Sequence, residues 1–98
     1  MASNFLLTLQ AAAERLAGGA GLERSEARTL LAPLVRQSVE NWAAVGPEAA
    51  LTGPIARGDE RTVESQRAAV ATEAPELLAL FDELAERTRA LARHEVPA

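Results

Sequence analysis

Two glycines, a proline, a hydroxyl and an opposite-charge pair fall within nine residues, Leu51-Thr52-Gly53-Pro54-Ile55-Ala56-Arg57-Gly58-Asp59. Nearly everything on either side is Ala, Leu, Glu and Arg, the residues that lose least on entering a helix. No stretch shows the apolar–polar alternation of a half-buried strand. A chain written this way folds as helices, interrupted by one segment dense in special backbone residues. On a rigid scaffold, such a loop is a candidate site.

Apolar spacing predicts four helical segments. The first runs from Ser3 to Ala17, with Phe5, Leu9, Ala12 and Leu16 on one stripe. Ser3 or Asn4 is placed to cap it, and Gly18, Gly19 and Gly21 end it. The second runs from Ser25, a plausible cap, to Val45. Ala27, Leu31, Leu34, Val35, Trp42 and Val45 keep its period, which weakens at Ser38 and Val39. Pro33 lies inside it and predicts a kink near Thr29 or a restart. Gly46-Pro47 stops it. A loop then spans Gly46 to Gly58. Asp59 caps a third helix to Ala71, whose apolar face is thin: Val63, Val70 and alanines. Pro75 suits the first position of the fourth helix, which continues to Arg93 with Leu77, Phe81, Leu84, Thr88 and Leu91 aligned. The tail, Glu95 to Ala98, is expected to fray. The fold class is all-α: a bundle of about four helices, likened by its stripes to antiparallel packing within one chain or between two.

Composition narrows the function. The chain has 98 residues, enough for a single domain with a modest core. Its net charge is −4, and all ten basic residues are Arg. No basic stripe with interleaved aromatics points to nucleic acid, and the acidic balance disfavours a membrane surface. Without Cys there are no disulfides or thiolate metal ligands, and the lone His94 builds no metal site unaided. No apolar run approaches the roughly 20 residues of a bilayer span, and the start lacks a basic signal-peptide region. The expected compartment is the cytoplasm.

The segment from Gly46 to Asp59 has two readings. In one it is a crossover with good caps, Asp59 offering its carboxylate to first-turn amides. In the other, Thr52 donates and accepts beside the rigid Gly53-Pro54 turn, and Arg57 grips a carboxylate or phosphate through two parallel bonds. Arg57 and Asp59 are also close enough in sequence to pair with each other. Asn4 either caps a helix or orients a substrate. Trp42 is expected as a core or interface anchor, Asn41 as a donor to a loop carbonyl, and Glu83 with Arg87 as a solvated i,i+4 pair. There is no nucleophile elbow, no phosphate-binding glycine loop and no G-x-G-x-x-G after a strand.

With these residues in place, the chain resembles the C-terminal helical domain of the Rossmann-like proteins that carry DUF2520. The matching text is Ala2-Ser3-Asn4-Phe5-Leu6, Pro33-Leu34-Val35, Glu40-Asn41, the Leu80-Phe81 region and above all Leu51 to Asp59. Phe81 departs from the expected Tyr. Such proteins are similar to pyrroline-5-carboxylate and ketopantoate reductases, in which a dinucleotide-binding domain precedes a helical domain that dimerises and closes over substrate. The resemblance implies that residues 1–98 are the helical domain alone, with the dinucleotide-binding domain outside this chain. It implies NAD(P) as cofactor of the whole protein, a small anionic keto or imino acid as substrate, and a homodimer. Asn4 then orients substrate, Thr52 and Arg57 contact its anionic group or the cofactor, Gly53 and Pro54 shape the loop, and Asp59 caps. The rival readings are a non-catalytic dimerisation module and a stand-alone four-helix protein.

Overall fold

The computed structural model describes residues 1–94, and the tail expected to fray lies outside them. Six α-helices follow one another: α1 (Asn4–Gly18), α2 (Arg24–Val45), α3 (Pro47–Ala50), α4 (Pro54–Arg57), α5 (Glu60–Glu73) and α6 (Leu78–Ala92), with a 3-10 turn at Pro75–Leu77. No strand occurs among the described residues. None of these helices is long and apolar enough to cross a membrane.

The helix starts show which local signals prevailed. Three prolines, Pro47, Pro54 and Pro75, each open a helical turn, where a missing N–H deprives no carbonyl of its partner. The segment from Gly46 to Gly58 is therefore not the irregular loop expected but two single turns, α3 and α4. The start of α2 is held by Glu23 and Glu26, not by Ser25: the Glu23 amide donates to Glu26 Oε1 at 3.0 Å, the return half of a capping box. Neither Ser3 nor Asn4 caps α1 with its side chain. Ser3 already has helical angles (φ −89°, ψ −46°), whereas a cap needs non-helical ones. The Phe5 amide reaches back to the Met1 carbonyl at 3.1 Å instead.

Helix α2 runs unbroken through Pro33, so the alternative of a restart does not hold. The ring is exposed, and only the Thr29 carbonyl loses its intrahelical donor. The turns around it are reinforced by hydroxyls, Thr29 Oγ1 donating to the Ser25 carbonyl and Ser38 Oγ to the Leu34 carbonyl, both at 3.0 Å.

Ion pairs report the topology. Glu14 near the end of α1 meets Arg28 near the start of α2 at 2.9 Å, so these helices form an antiparallel hairpin. Arg67 grips Asp82 with two bonds of 2.8 and 2.9 Å, and Glu60 meets Arg89 at 3.1 Å; α5 and α6 are a second antiparallel hairpin. Arg15 at the end of α1 pairs with Glu76 beyond the end of α5, tying the hairpins together at that end. At the opposite end α3 bridges α2 to α6.

Between these ties the hairpins stay apart. Helix α2 touches neither α5 nor α6, and α1 does not close on α6. The stripes anticipated on α1 (Leu9, Ala12, Leu16) and α6 (Leu77, Phe81, Leu84) do face each other, but across an open apolar groove. The buried core among the described residues is only Ala27, Val63, Val70, Ala74 and Ala85. Val63 and Val70 bear out the thin face expected for α5. Trp42 is not a core residue: it is 58% exposed at the end of α2, on the rim of a depression it shares with the start of α1.

Candidate functional site

The polar residues singled out in the sequence gather at the end of the molecule away from the Arg15–Glu76 tie. Helix α1 starts there, beside Trp42: Ser3, Leu6, Val39 and Trp42 border one depression. Helix α5 starts there too, with α4 immediately before it and packed on α5 and α6. The structure thus sets Asn4 and the Thr52–Asp59 segment at one end. It does not bring them into contact, because α1 touches neither α3 nor α4.

Within the segment, backbone bonds fix every turn. The Arg57 amide donates to the Gly53 carbonyl at 3.1 Å and the Asp59 amide to the Pro54 carbonyl at 2.8 Å. Gly53 has φ +98° and Gly58 φ +73°. A Cβ at either would meet open space, so glycine is required there by the backbone angle, not by crowding. Gly58 ends α4 in the left-handed conformation, and this reversal sends the chain into α5.

Asp59 is occupied by its own helix. It accepts from the Thr62 amide at 3.2 Å and from the Thr62 hydroxyl at 2.6 Å. The hydroxyl bond above all, then the amide bond, and last the Arg57 charge, hold its carboxyl below the usual carboxylate range. The anticipated cap is what the structure contains. The Arg57–Asp59 approach is only 4.0 Å, a loose exposed pair that contributes little.

Arg57 therefore presents its guanidinium outward, its side chain 64% exposed. Thr52 is exposed beside it in sequence, and its hydroxyl makes no hydrogen bond among the described residues. Asn4 is exposed; its carbonyl accepts from Thr8 Oγ1 at 3.2 Å, while its amide side chain is uncommitted among the described residues. Asn41 differs from expectation: it accepts from Gln37 Nε2 at 2.9 Å, one turn away, and not from a loop. Glu83 and Arg87 form the anticipated pair at 2.9 Å. No cluster of His, Asp and Glu able to hold a metal ion occurs among the described residues.

What sequence reasoning missed is the surface of α2. Leu30, Leu34, Trp42 and Val45 are all largely exposed. The period of α2 contained the signal, but periodicity marks a face without saying what covers it.

The arrangement defines a class: an all-α domain of two hairpins, polar at one end, with apolar faces left open. A model of the family described as "Domain of unknown function (DUF2520)" matches residues 1–88. The chain belongs to this family. No curated protein and no solved structure matches it.

Proposed function

We propose that this domain is the substrate-facing, dimer-forming part of a cytoplasmic NAD(P)-dependent oxidoreductase that acts on a small keto or imino acid. Alone it is catalytically inert. The observation that carries the reading is the outward, loosely partnered Arg57, next to the uncommitted Thr52 and at the same end as Asn4. A guanidinium held on a short rigid turn suits a small carboxylate, which it grips with two bonds. The resemblance of the Leu51–Asp59 motif to reductase-like proteins supports the reading; the family that matches residues 1–88 is described only as a domain of unknown function.

The described residues include no strand followed by a glycine-rich turn, the arrangement that binds a dinucleotide. By the resemblance, the cofactor's body is assigned to a dinucleotide-binding domain outside these residues, and hydride chemistry is the cofactor's own. This chain contributes Arg57 and Thr52 to anion binding and Asn4 to orientation. Asp59, engaged by Thr62, is assigned no chemical role.

The test is NAD(P)H oxidation by the full-length protein with panels of keto and imino acids. Arg57→Ala is expected to raise the KM of the best substrate about tenfold or more, the weight of a charged hydrogen bond. Unchanged kcat and KM remove Arg57 from the site. A second reading, a dimerisation module without chemistry, is favoured by the large apolar side chains left on the surface; absence of turnover across both panels selects it.

A further inference from the structure

Two apolar depressions lie between α1 and α2 and share Gln10 and Val35 as a common wall. The first, about 290 Å³, passes Leu7 and Leu31 and is edged by Arg28 and Arg36. The second, about 600 Å³, is bordered by Leu6, Val39 and Trp42. Sites for small ligands span about 300–1,000 Å³. On α2, Arg28, Ala32 and Arg36 fall one above another at four-residue spacing, and the short Ala32 leaves a notch between the two guanidiniums. Arg28 is committed: it donates to Glu14 Oε1 at 2.9 Å and neutralises the carboxylate that edges the first depression. Arg36 is not. It makes no hydrogen bond or ion pair among the described residues, although Glu40 follows at the spacing of a helical ion pair. The Gln10 side-chain amide is likewise uncommitted among the described residues. One cation and one amide donor thus edge an apolar groove that continues to Trp42, about 9 Å further along α2.

We propose that this groove binds a free amphipathic carboxylate: one anionic head on an unbranched apolar chain. The head sits on Arg36, whose guanidinium matches a carboxylate with two parallel bonds, and the Gln10 amide is placed to add a third. The chain runs over Val35 to Leu6, Val39 and Trp42, where it removes apolar surface from water. Charge selects the head. With Arg28 taken by Glu14, one guanidinium remains for one negative charge; a doubly charged phosphate would set its second charge near Glu14 with no cation left for it. The chain's net charge of −4 disfavours an anionic bilayer as the source of the ligand. The proposal also gives the exposed Trp42 a task, as the wall against which the apolar end packs. This assignment does not rest on the oxidoreductase reading, whose anion sits at Arg57; none of Thr52 to Asp59 borders either depression.

Trp42 is the chain's single tryptophan, so its fluorescence reports filling of the groove. Octanoate is the probe and octanol its uncharged counterpart. Octanoate is expected to shift Trp42 emission to the blue and to saturate, with a dissociation constant below about 1 mM. At equal concentrations below saturation, octanol is expected to give less than about a tenth of that shift, the weight of a charged hydrogen bond. Arg36→Ala is expected to weaken octanoate about tenfold or more and so to erase the preference for it. Arg24→Ala, which removes an equally unpaired guanidinium from the first turn of α2, and Arg57→Ala are both expected to leave octanoate binding unchanged. Val39→Asp, at an exposed position, is expected to lose octanoate while keeping its helical circular dichroism. Calorimetry of the same variants checks the affinities. A wild type without a saturable shift, equal responses to the acid and the alcohol, or Arg36→Ala or Val39→Asp chains that bind as wild type each overturns the proposal. So does binding to anionic phospholipid vesicles in place of free octanoate, and so does loss of octanoate in Arg57→Ala, which moves the acid to the other end. None of these readouts involves turnover, so failure here is distinct from failure of the oxidoreductase reading.

Discussion

Asp59 illustrates how far a single residue is readable before folding. Its cap depends on Thr62, three residues away, so everything it needs is local and visible in the sequence. Asn4 was less legible for the opposite reason: the turn before it, closed by the Phe5–Met1 bond, had already become helical. Arg57 lies between these cases, because its neighbours predicted a pair with Asp59 but not how loose that pair is. The Asp59 carboxyl is held below its unfolded value. Its ionic contribution to stability is thus complete above about pH 4, the ordinary carboxylate value, and is lost as pH falls through the lowered folded value. Asn is an equally good cap but cannot ionise. Asp59→Asn is therefore expected to unfold at lower urea than wild type at pH 6.5, and the gap is expected to narrow as pH falls below about 4. Comparing the two chains at equal concentration cancels Glu76 and Asp82, which are held low by other partners. A gap that stays constant with pH would mean the charge of Asp59 does not matter to the cap.

At the scale of elements, the four long helices were legible because each carries enough turns for a period to appear. Helices α3 and α4 were not, since a four-residue turn has no period; the proline at its first position was the available signal. Of the two outcomes expected at Pro33, a bend or a restart, the restart is the one that the continuous α2 excludes. A proline in a helix interior costs about 3 kcal/mol relative to Ala, yet the helix continues for three turns beyond Pro33. The flanking residues Leu31 and Val35 are partly covered by α1 and hold both halves against the same neighbour. Pro33 itself is exposed. Pro33→Ala is expected to stabilise the chain by about 1–3 kcal/mol, restoring the bond to the Thr29 carbonyl, and to leave the oligomeric state unchanged. Thermal unfolding with sedimentation of the same samples checks both parts. A destabilised Pro33→Ala chain would mean that the proline shapes α2 for a contact that Ala cannot support.

For the molecule as a whole, the stripes were readable but their occupants were not. Sequence spacing assigned apolar faces to α1, α2 and α6; in the structure those of α1 and α6 face a groove, while that of α2 is divided, Ala27 buried, Leu31 and Val35 partly covered beside α1, and Leu34, Trp42 and Val45 exposed. The five buried side chains among the described residues are Ala and Val, too small a core to hold four long helices firmly by burial alone. A second copy on the open faces, as in the dimer proposed above, makes stability depend on concentration. If folding and the proposed dimerisation are one transition, a tenfold rise in protein concentration adds about 1.4 kcal/mol per dimer. Two chains of 98 residues carry an unfolding entropy of about 0.4 kcal/mol/K together. The melting temperature is therefore expected to rise by about 3 °C for each tenfold increase in concentration. Differential scanning fluorimetry from 1 to 100 times a starting concentration gives the slope. A wild-type melting temperature independent of concentration would mean that each chain is stable alone.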